Sequence, residues 1–201
     1  MVDAVRFPGL ARYLDTLPAG LDSYPECETK GVILRGAIDG HPLDEVAAGL
    51  PEELRSALDQ PPPGGVWIPA VLSDCAFHAV CDRYYPTESA MIEWTYSRTK
   101  SVATNRLYRG LFRVAGPAAF LALAERLHNQ MFQRGTILKV KLERQLAEFR
   151  LGHPPRLHSR LNHLSNVPLL HAVIELAGGQ SVRVDMKETG DQGALYIARW
   201  G

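Results

Sequence analysis

The chain has 201 residues, of which 46% are hydrophobic and 22% are charged, and this composition predicts one globular domain with its own core. Because 22 basic residues balance 22 acidic residues, no overall charge favours nucleic acid or an anionic membrane as a partner. The three cysteines lack the spacing of a disulfide framework, and no signal-like or bilayer-length apolar run is present, so we expect a cytoplasmic protein that contacts no membrane.

Helical patterns fill the first two thirds of the sequence. Residues 1–29 hold one short helical stretch between turns rich in Pro and Gly, which predicts an N-terminal arm packed on the body. From residue 30 to residue 135 the pattern predicts successive helices, interrupted by the Pro- and Gly-rich loop 61–65. We expect the longer helices of this part over residues 66–82, 87–114 and 120–131.

Strand patterns replace the helical patterns after Gly135. Residues 138–142 and 147–151 alternate apolar and polar side chains, and a second strand pair follows over 182–187 and 194–200. A helical pattern over 159–177 separates the two pairs. Consecutive hairpins favour antiparallel pairing, so we expect four antiparallel strands in one sheet.

This order of elements predicts an α+β fold. We expect an N-terminal helical bundle that packs on the four-stranded antiparallel sheet. The C-terminal half of the chain, which forms this sheet, has the order strand-strand-helix-strand-strand. Residues 30–201 are expected to form a single domain, divided into a helical part (30–135) and a sheet part (136–201).

The charge is locally uneven despite the neutral total. Residues 98–113 contain five basic side chains and no acid, whereas residues 42–59 contain five acidic side chains and one basic side chain, Arg55. Tyr96 and Tyr108 beside the basic side chains are a pattern found in nucleic-acid binding. Helical spacing equally places the arginines on one side, facing the acidic segment or a protein partner, and we favour this second interpretation because the net charge is zero.

Cys75, His78 and Cys81 form the one group of soft metal ligands that helical spacing brings to a single face. A closed zinc site needs four ligands, and no second pair is spaced to complete it, so we expect no tightly bound transition metal. The cysteines lack the local signature of a nucleophile, and no phosphate-binding glycine loop occurs, so we expect no catalytic centre.

Glycines, prolines and tryptophans recur in a distinctive order. The order runs through Lys30-Gly31, Gly65-Val66-Trp67-Ile68-Pro69, Arg109-Gly110-Leu111-Phe112-Arg113, Gly116-Pro117, Gly178-Gly179 and Gly190-Asp191, and it ends in Arg199-Trp200. It resembles a paralogous family of myxobacterial proteins that is distantly similar to the fold of heme-nitric-oxide-binding and 4-vinyl-reductase-like domains. The resemblance implies a helical bundle over an antiparallel sheet, usually a dimer, with a small-molecule cavity between helices and sheet and a sensory or regulatory role.

The chain departs from this family at positions that bear on cofactors. Ala194 stands where the wider fold often has a cysteine, and His128 stands where relatives often have Trp. Heme-binding relatives hold the propionates with Tyr, Ser and Arg at alternate positions, whereas Tyr96-Ser97-Arg98 is contiguous here. Although His78 and His128 lie on apolar helices, we therefore predict no cofactor.

The sequence thus favours a non-catalytic sensory, regulatory or adaptor domain that binds a small ligand or a protein partner. The resemblance places a cavity between helices and sheet, and apolar side chains with polar tips suit such a site. The candidate ligand-binding residues are His78, Trp94, Arg98, Tyr108 and His128. The alternative is an enzyme, or a degenerate one, that uses His78 or His128 in that cavity.

A homodimer is expected on the resemblance and on the last strand. Leu195 and Ile197 lie on one face of this strand, and Ala194 and Tyr196 lie on the other. A strand that is apolar on both faces is either central in a sheet or covered by another subunit.

Overall fold

The structure is a computed structural model that describes residues 2–42, 46–104 and 116–201. The α-helices in these ranges are α1 (Pro8–Thr16), α2 (Gly31–Ile38), α3 (Glu52–Asp59), α4 (Ala70–Tyr84), α5 (Glu88–Thr104), α6 (Gly116–Leu121), α7 (Ala124–Arg126) and α8 (Arg160–Leu176), with a π-helix at Leu127–Phe132. The strands are β1 (Glu28–Lys30), β2 (Trp67–Pro69), β3 (Gln133–Arg134), β4 (Ile137–Glu143), β5 (Leu146–Gly152), β6 (Arg183–Gly190) and β7 (Gly193–Arg199). Within the described ranges, no helix is both long and apolar enough to cross a bilayer.

The main sheet has four antiparallel strands in the order β4-β5-β7-β6. One face of the sheet carries the alternating apolar side chains. The helix α8, which connects β5 to β6, packs on this face and contacts β6 and β7. The predicted α+β fold, with a helical first half and a four-stranded antiparallel sheet, is confirmed. The strand β7 is central in this sheet; Ala194 and Tyr196 face the core, and Leu195 and Ile197 are half-buried on the other face.

A second, smaller sheet was not predicted. Its strands are paired in the order β2-β1-β3 and contain two or three residues each, too few to show an alternating pattern. Trp67 lies between two cations on this sheet, with Lys30 Nζ 3.8 Å and Arg134 Cζ 3.9 Å from its ring centroid. Because residues 67–69 pair with β1, they are extended. The helix expected from residue 66 therefore begins at Ala70 instead.

Two hydrophobic cores are joined through a polar layer, which contains Asp74, His78, His158, Ser159 and Asn162. The helical core contains side chains of α1 to α4, including the fully buried Phe7 and Leu10 from the first 29 residues. The sheet core lies between the main sheet, α6 and α8, with Phe149 and Tyr196 at its centre. Leu157, which follows β5, is buried in the helical core and so links the two halves.

The helix expected over residues 120–131 is broken into α6, α7 and the π-helix. The break lets two side chains of this segment reach the edge strand β4: Glu125 Oε1 accepts from the Val140 N–H at 2.7 Å, and Asn129 Oδ1 accepts from the Leu138 N–H at 3.2 Å. A helical segment thereby covers part of a sheet edge that would otherwise present unpaired backbone groups.

Candidate functional site

His78 is buried in the polar layer between the two cores. Its ring stacks on Tyr13 with centroids 4.8 Å apart, and its Nε2 lies 2.9 Å from Ser159 Oγ and 3.2 Å from Asn162 Oδ1. Ser159 is the N-cap of α8, and its hydroxyl and backbone N–H both donate to Asn162 Oδ1. Because that amide oxygen only accepts, His78 carries its proton on Nε2, and its buried Nδ1 has no hydrogen-bond partner among the described residues.

Trp94 and Arg98 contact one another on α5. The Arg98 guanidinium lies 5.2 Å from the Trp94 ring centroid and donates to the Gly36 carbonyl at 2.7 Å. The Trp94 ring also stacks on Phe77 and Tyr85, with centroids 5.9 and 4.5 Å apart. This predicted pair therefore belongs to a packed aromatic cluster.

His128 lies on the π-helix and faces the start of the sheet. Its Nε2 is 3.1 Å from Thr136 Oγ1, whose hydroxyl is 2.8 Å from Gln133 Oε1. Burial, and then the nearby His158, lowers the pKa of His128 to about 4, so its imidazole is neutral at pH 7. Of the five candidate residues, the structure brings Trp94 and Arg98 together, places His78 and His128 against other groups, and leaves Tyr108 outside the described residues.

Three further histidines, which the sequence reasoning did not select, form a cluster at the polar layer. His153, His158 and His163 are 8%, 7% and 1% exposed. Their ring centroids lie 4.8 Å apart for His153 and His158, 5.0 Å for His153 and His163, and 6.4 Å for His158 and His163. The sequence feature that could have identified these histidines is their regular spacing, since one occurs at every fifth position between residues 153 and 163.

The hydrogen bonds of this cluster fix most of its protons. His153 Nδ1 lies 2.8 Å from the Pro154 carbonyl oxygen, which only accepts, so His153 carries its proton there. Its Nε2 then accepts from His163 Nε2 at 2.8 Å, and His163 Nδ1 accepts from the Thr189 hydroxyl at 2.7 Å. Burial is the first cause that lowers the pKa of His153 to about 4 and that of His163 to about 3, so both rings are neutral at pH 7.

His158 connects the cluster to the helical half. Its Nδ1 lies 2.7 Å from Asp74 Oδ2 on α4, while its buried Nε2 has no hydrogen-bond partner among the described residues. The preceding residue is also held there, since the Tyr13 hydroxyl donates to the Leu157 carbonyl at 2.5 Å. As the side chains stand, however, no group of three or more His, Cys, Asp or Glu in the described part of the chain is arranged to hold a metal ion.

The described surface includes two open grooves beside the main sheet. The larger, of about 380 Å³, lies between the α6–α7 segment and β4 and is lined in part by Leu121, Glu125, Asn129 and Val140. The second, of about 360 Å³, lies where β5 and β6 end and β7 begins. None of the candidate residues within the described ranges lines either groove.

No protein-family model matches the chain, and no curated protein matches it in sequence. An oxygen-binding H-NOX domain related to soluble guanylate cyclases, solved as its oxygen complex, matches with a TM-score of 0.58 at 14% identity, covering 85% of this chain and 92% of that chain. A structure that addresses H-NOX activation matches with a TM-score of 0.57 at 12% identity, covering 86% and 96%. A mutant of the T. Tengcongensis H-NOX matches with a TM-score of 0.56 at 14% identity, covering 85% and 94%. The chain therefore has a distantly H-NOX-like α+β fold.

Proposed function

We propose that this protein is a non-catalytic sensory or regulatory domain that responds to a small ligand or a protein partner. The observation that supports it best is the polar layer between the two cores. The connection between β5 and α8, residues 153–159, is fixed to the helical half by His158 to Asp74, Ser159 to His78 and the Leu157 carbonyl to Tyr13. These directional bonds hold the helical half and the sheet half in one relative placement. A ligand that binds one half better in another placement therefore shifts the equilibrium between the two placements and so changes the other half.

Heme is the cofactor that the fold brings into question, since one similar structure was solved to probe heme distortion in the H-NOX family. Heme needs an axial histidine that faces a large apolar cavity. Among the described residues, His78 and His128 direct Nε2 at Ser159 and Thr136, and the His78 ring is packed against the Tyr13 and Phe77 rings. These candidate residues do not fit a heme, and the proposal includes none.

The enzymatic alternative, with His78 or His128 as an acid or base, gains no support from this geometry. A general base must reach a substrate proton from a position that a substrate can occupy. His78 is buried and His128 is half-buried, and neither lines the two grooves. A sensory role needs no such access to the histidines.

Native mass spectrometry of the protein purified from its own host tests the proposal. We expect the folded protein to retain, or to bind on addition of a host extract, a molecule that is released unchanged when the protein is denatured. Time-dependent conversion of that molecule by the purified protein would contradict a non-catalytic role. The Arg98→Lys variant tests binding near the aromatic cluster, since it keeps the charge and loses the planar donor geometry, and it should weaken retention of a molecule bound there.

We further propose a homodimer, which the same spectra report. Leu195 and Ile197 are half-buried on the outer face of the main sheet, and a second subunit that covers them would bury this apolar surface. Light scattering at tens of micromolar should give twice the chain mass, and Ile197→Lys should halve it. A monomer mass for the unmodified protein would contradict the dimer.

A further inference from the structure

The histidine cluster has the second contacts that usually accompany metal ligands. A metal-bound histidine almost always donates its other ring N–H to a carboxylate, a carbonyl or another oxygen, which fixes the ring and its tautomer. Nδ1 of His153 lies 2.8 Å from the Pro154 carbonyl, and Nδ1 of His158 lies 2.7 Å from Asp74 Oδ2. Nδ1 of His163 lies 2.7 Å from Thr189 Oγ1. All three rings are therefore anchored through Nδ1, which leaves Nε2 as the ligating atom.

The spacing of the rings is close to what one ion requires. Three imidazoles bound through one nitrogen each to a tetrahedral zinc ion, at about 2.0–2.1 Å, have ring centroids roughly 5 Å apart. The observed separations are 4.8 and 5.0 Å for the two pairs that include His153, and 6.4 Å for His158 and His163. For the three rings to share an ion, the His158–His163 pair must close and the three Nε2 atoms must turn toward one point.

The tautomers are also nearly those of a metal site. Nδ1 of His153 and Nδ1 of His158 each carry a proton toward an oxygen partner, which leaves Nε2 for a metal. Nε2 of His153 accepts from His163 until an ion takes that place, and Nε2 of His158 is buried without a hydrogen-bond partner among the described residues. His163 has its proton on Nε2, toward His153. Moving that proton to Nδ1 costs no hydrogen bond at the other end, because the Thr189 hydroxyl can accept as well as donate.

We propose that His153, His158 and His163 form a binding site for one divalent transition metal ion of the zinc class, ligated through the three Nε2 atoms. Asp74 and Thr189 are the positioning residues. In the structure the site is closed, since Nε2 of His153 and Nε2 of His163 are hydrogen bonded at 2.8 Å, and no metal-holding arrangement exists among the described side chains. Binding replaces this bond and separates the two atoms to roughly 3.3 Å, the distance between two nitrogen ligands of tetrahedral zinc.

The sequence expectation of no bound transition metal rests on Cys75, His78 and Cys81 and leaves these three histidines out. Neutral imidazoles are suitable ligands for zinc, copper and nickel. Three of them leave one tetrahedral position open, which is where zinc sites with three protein ligands take water or another small molecule. The metal proposal does not depend on the proposed sensory role.

The test is titration of the full chain, freed of metal with a chelator and dialysed, with Co²⁺ as a coloured probe and then with Zn²⁺. We expect one equivalent of Co²⁺ to give the intense visible absorption of a four-coordinate ion and Zn²⁺ to displace it. His158→Gln should weaken binding more than about 100-fold, and Asp74→Asn should weaken it by roughly 10–100-fold, the effect typical of losing an outer partner. The matched control is His171→Gln on α8, which should bind as the unmodified protein does.

A measurement without variants covers the case in which His158→Gln fails to fold. X-ray absorption of the zinc-loaded, unmodified protein should show three imidazole rings at about 2.0 Å. Long-range proton–nitrogen spectra should show that Nε2, not Nδ1, of His153, His158 and His163 binds the ion. The proposal is overturned if the unmodified protein binds neither ion, if folded His158→Gln binds as tightly as it does, or if His171→Gln abolishes binding.

Discussion

The cysteine thiols illustrate how burial decides the chemistry of a side chain. Cys27, Cys75 and Cys81 are free and buried, and burial is the first cause that raises the pKa of each, to about 11 for Cys27. Since the thiolate is the reactive species, a buried thiol with a raised pKa is inert. We expect no thiol to react with Ellman's reagent at pH 8 in the folded protein and all three to react in guanidinium. Rapid reaction of any thiol in the folded protein would show that the core around it opens.

His128 gives a prediction about acid stability. Its pKa falls from 6.5 to about 4 on folding, so the unfolded chain binds the proton first as the pH drops. Its contribution to stability is complete above pH 6.5 and is lost between pH 6.5 and about 4, by up to about 1.4 kcal/mol per pH unit. Urea unfolding with a chelator present should therefore show stability falling below pH 6.5.

The matched variant is His128→Gln, which can still hydrogen bond to Thr136 but cannot take up the proton. It should lose stability less steeply over the same pH range, whatever its stability at pH 7. If the two proteins have parallel pH profiles, His128 is not a buried neutral histidine.

At the scale of elements, the contact between the α6–α7 segment and β4 protects a sheet edge. Glu125→Ala removes the acceptor of the Val140 N–H and uncovers this edge. We expect a loss of about 1 kcal/mol, seen as a thermal midpoint lower by a few degrees, together with concentration-dependent association. Lys139→Ala is the control, because its ion pair with Glu125 is largely exposed and should contribute little. Equal effects of the two variants would assign the role to charge and not to edge protection.

The elements that the sequence predicted well are those with a long, regular pattern. The β4–β5 and β6–β7 hairpins alternate over seven or eight residues, and α8 has a Ser159 cap and a Gly178 end. The small sheet has no such pattern because its strands are shorter than four residues. The break after Leu121 depends on contacts of Glu125 and Asn129 with β4, which no local pattern encodes.

For the molecule as a whole, the contacts among His153, His158 and His163 could not be predicted from the sequence, because they depend on the tertiary fold. Its three rings come from the end of β5, from the following turn and from α8, and their orientation depends on Asp74, which lies far away in sequence on α4. Apolar surroundings drew attention to His78 and His128, whereas the regular spacing of the other three could have identified them. Only the fold shows that this spacing brings their rings into contact.

The burial of Leu157 in the helical core has a consequence for how the protein is made. Synthesis starts at the N-terminus, so α1 to α5 emerge from the ribosome well before the side chain that completes their core. Until then the core has a gap at Leu157, and Tyr13 and Asp74 lack their hydrogen bonds to the Leu157 carbonyl and to His158, so the packed state is less stable. The helical half should therefore remain incompletely folded while the chain grows, and a fragment that stops at the end of β5 should be degraded or bound by chaperones, unlike one that extends through α8.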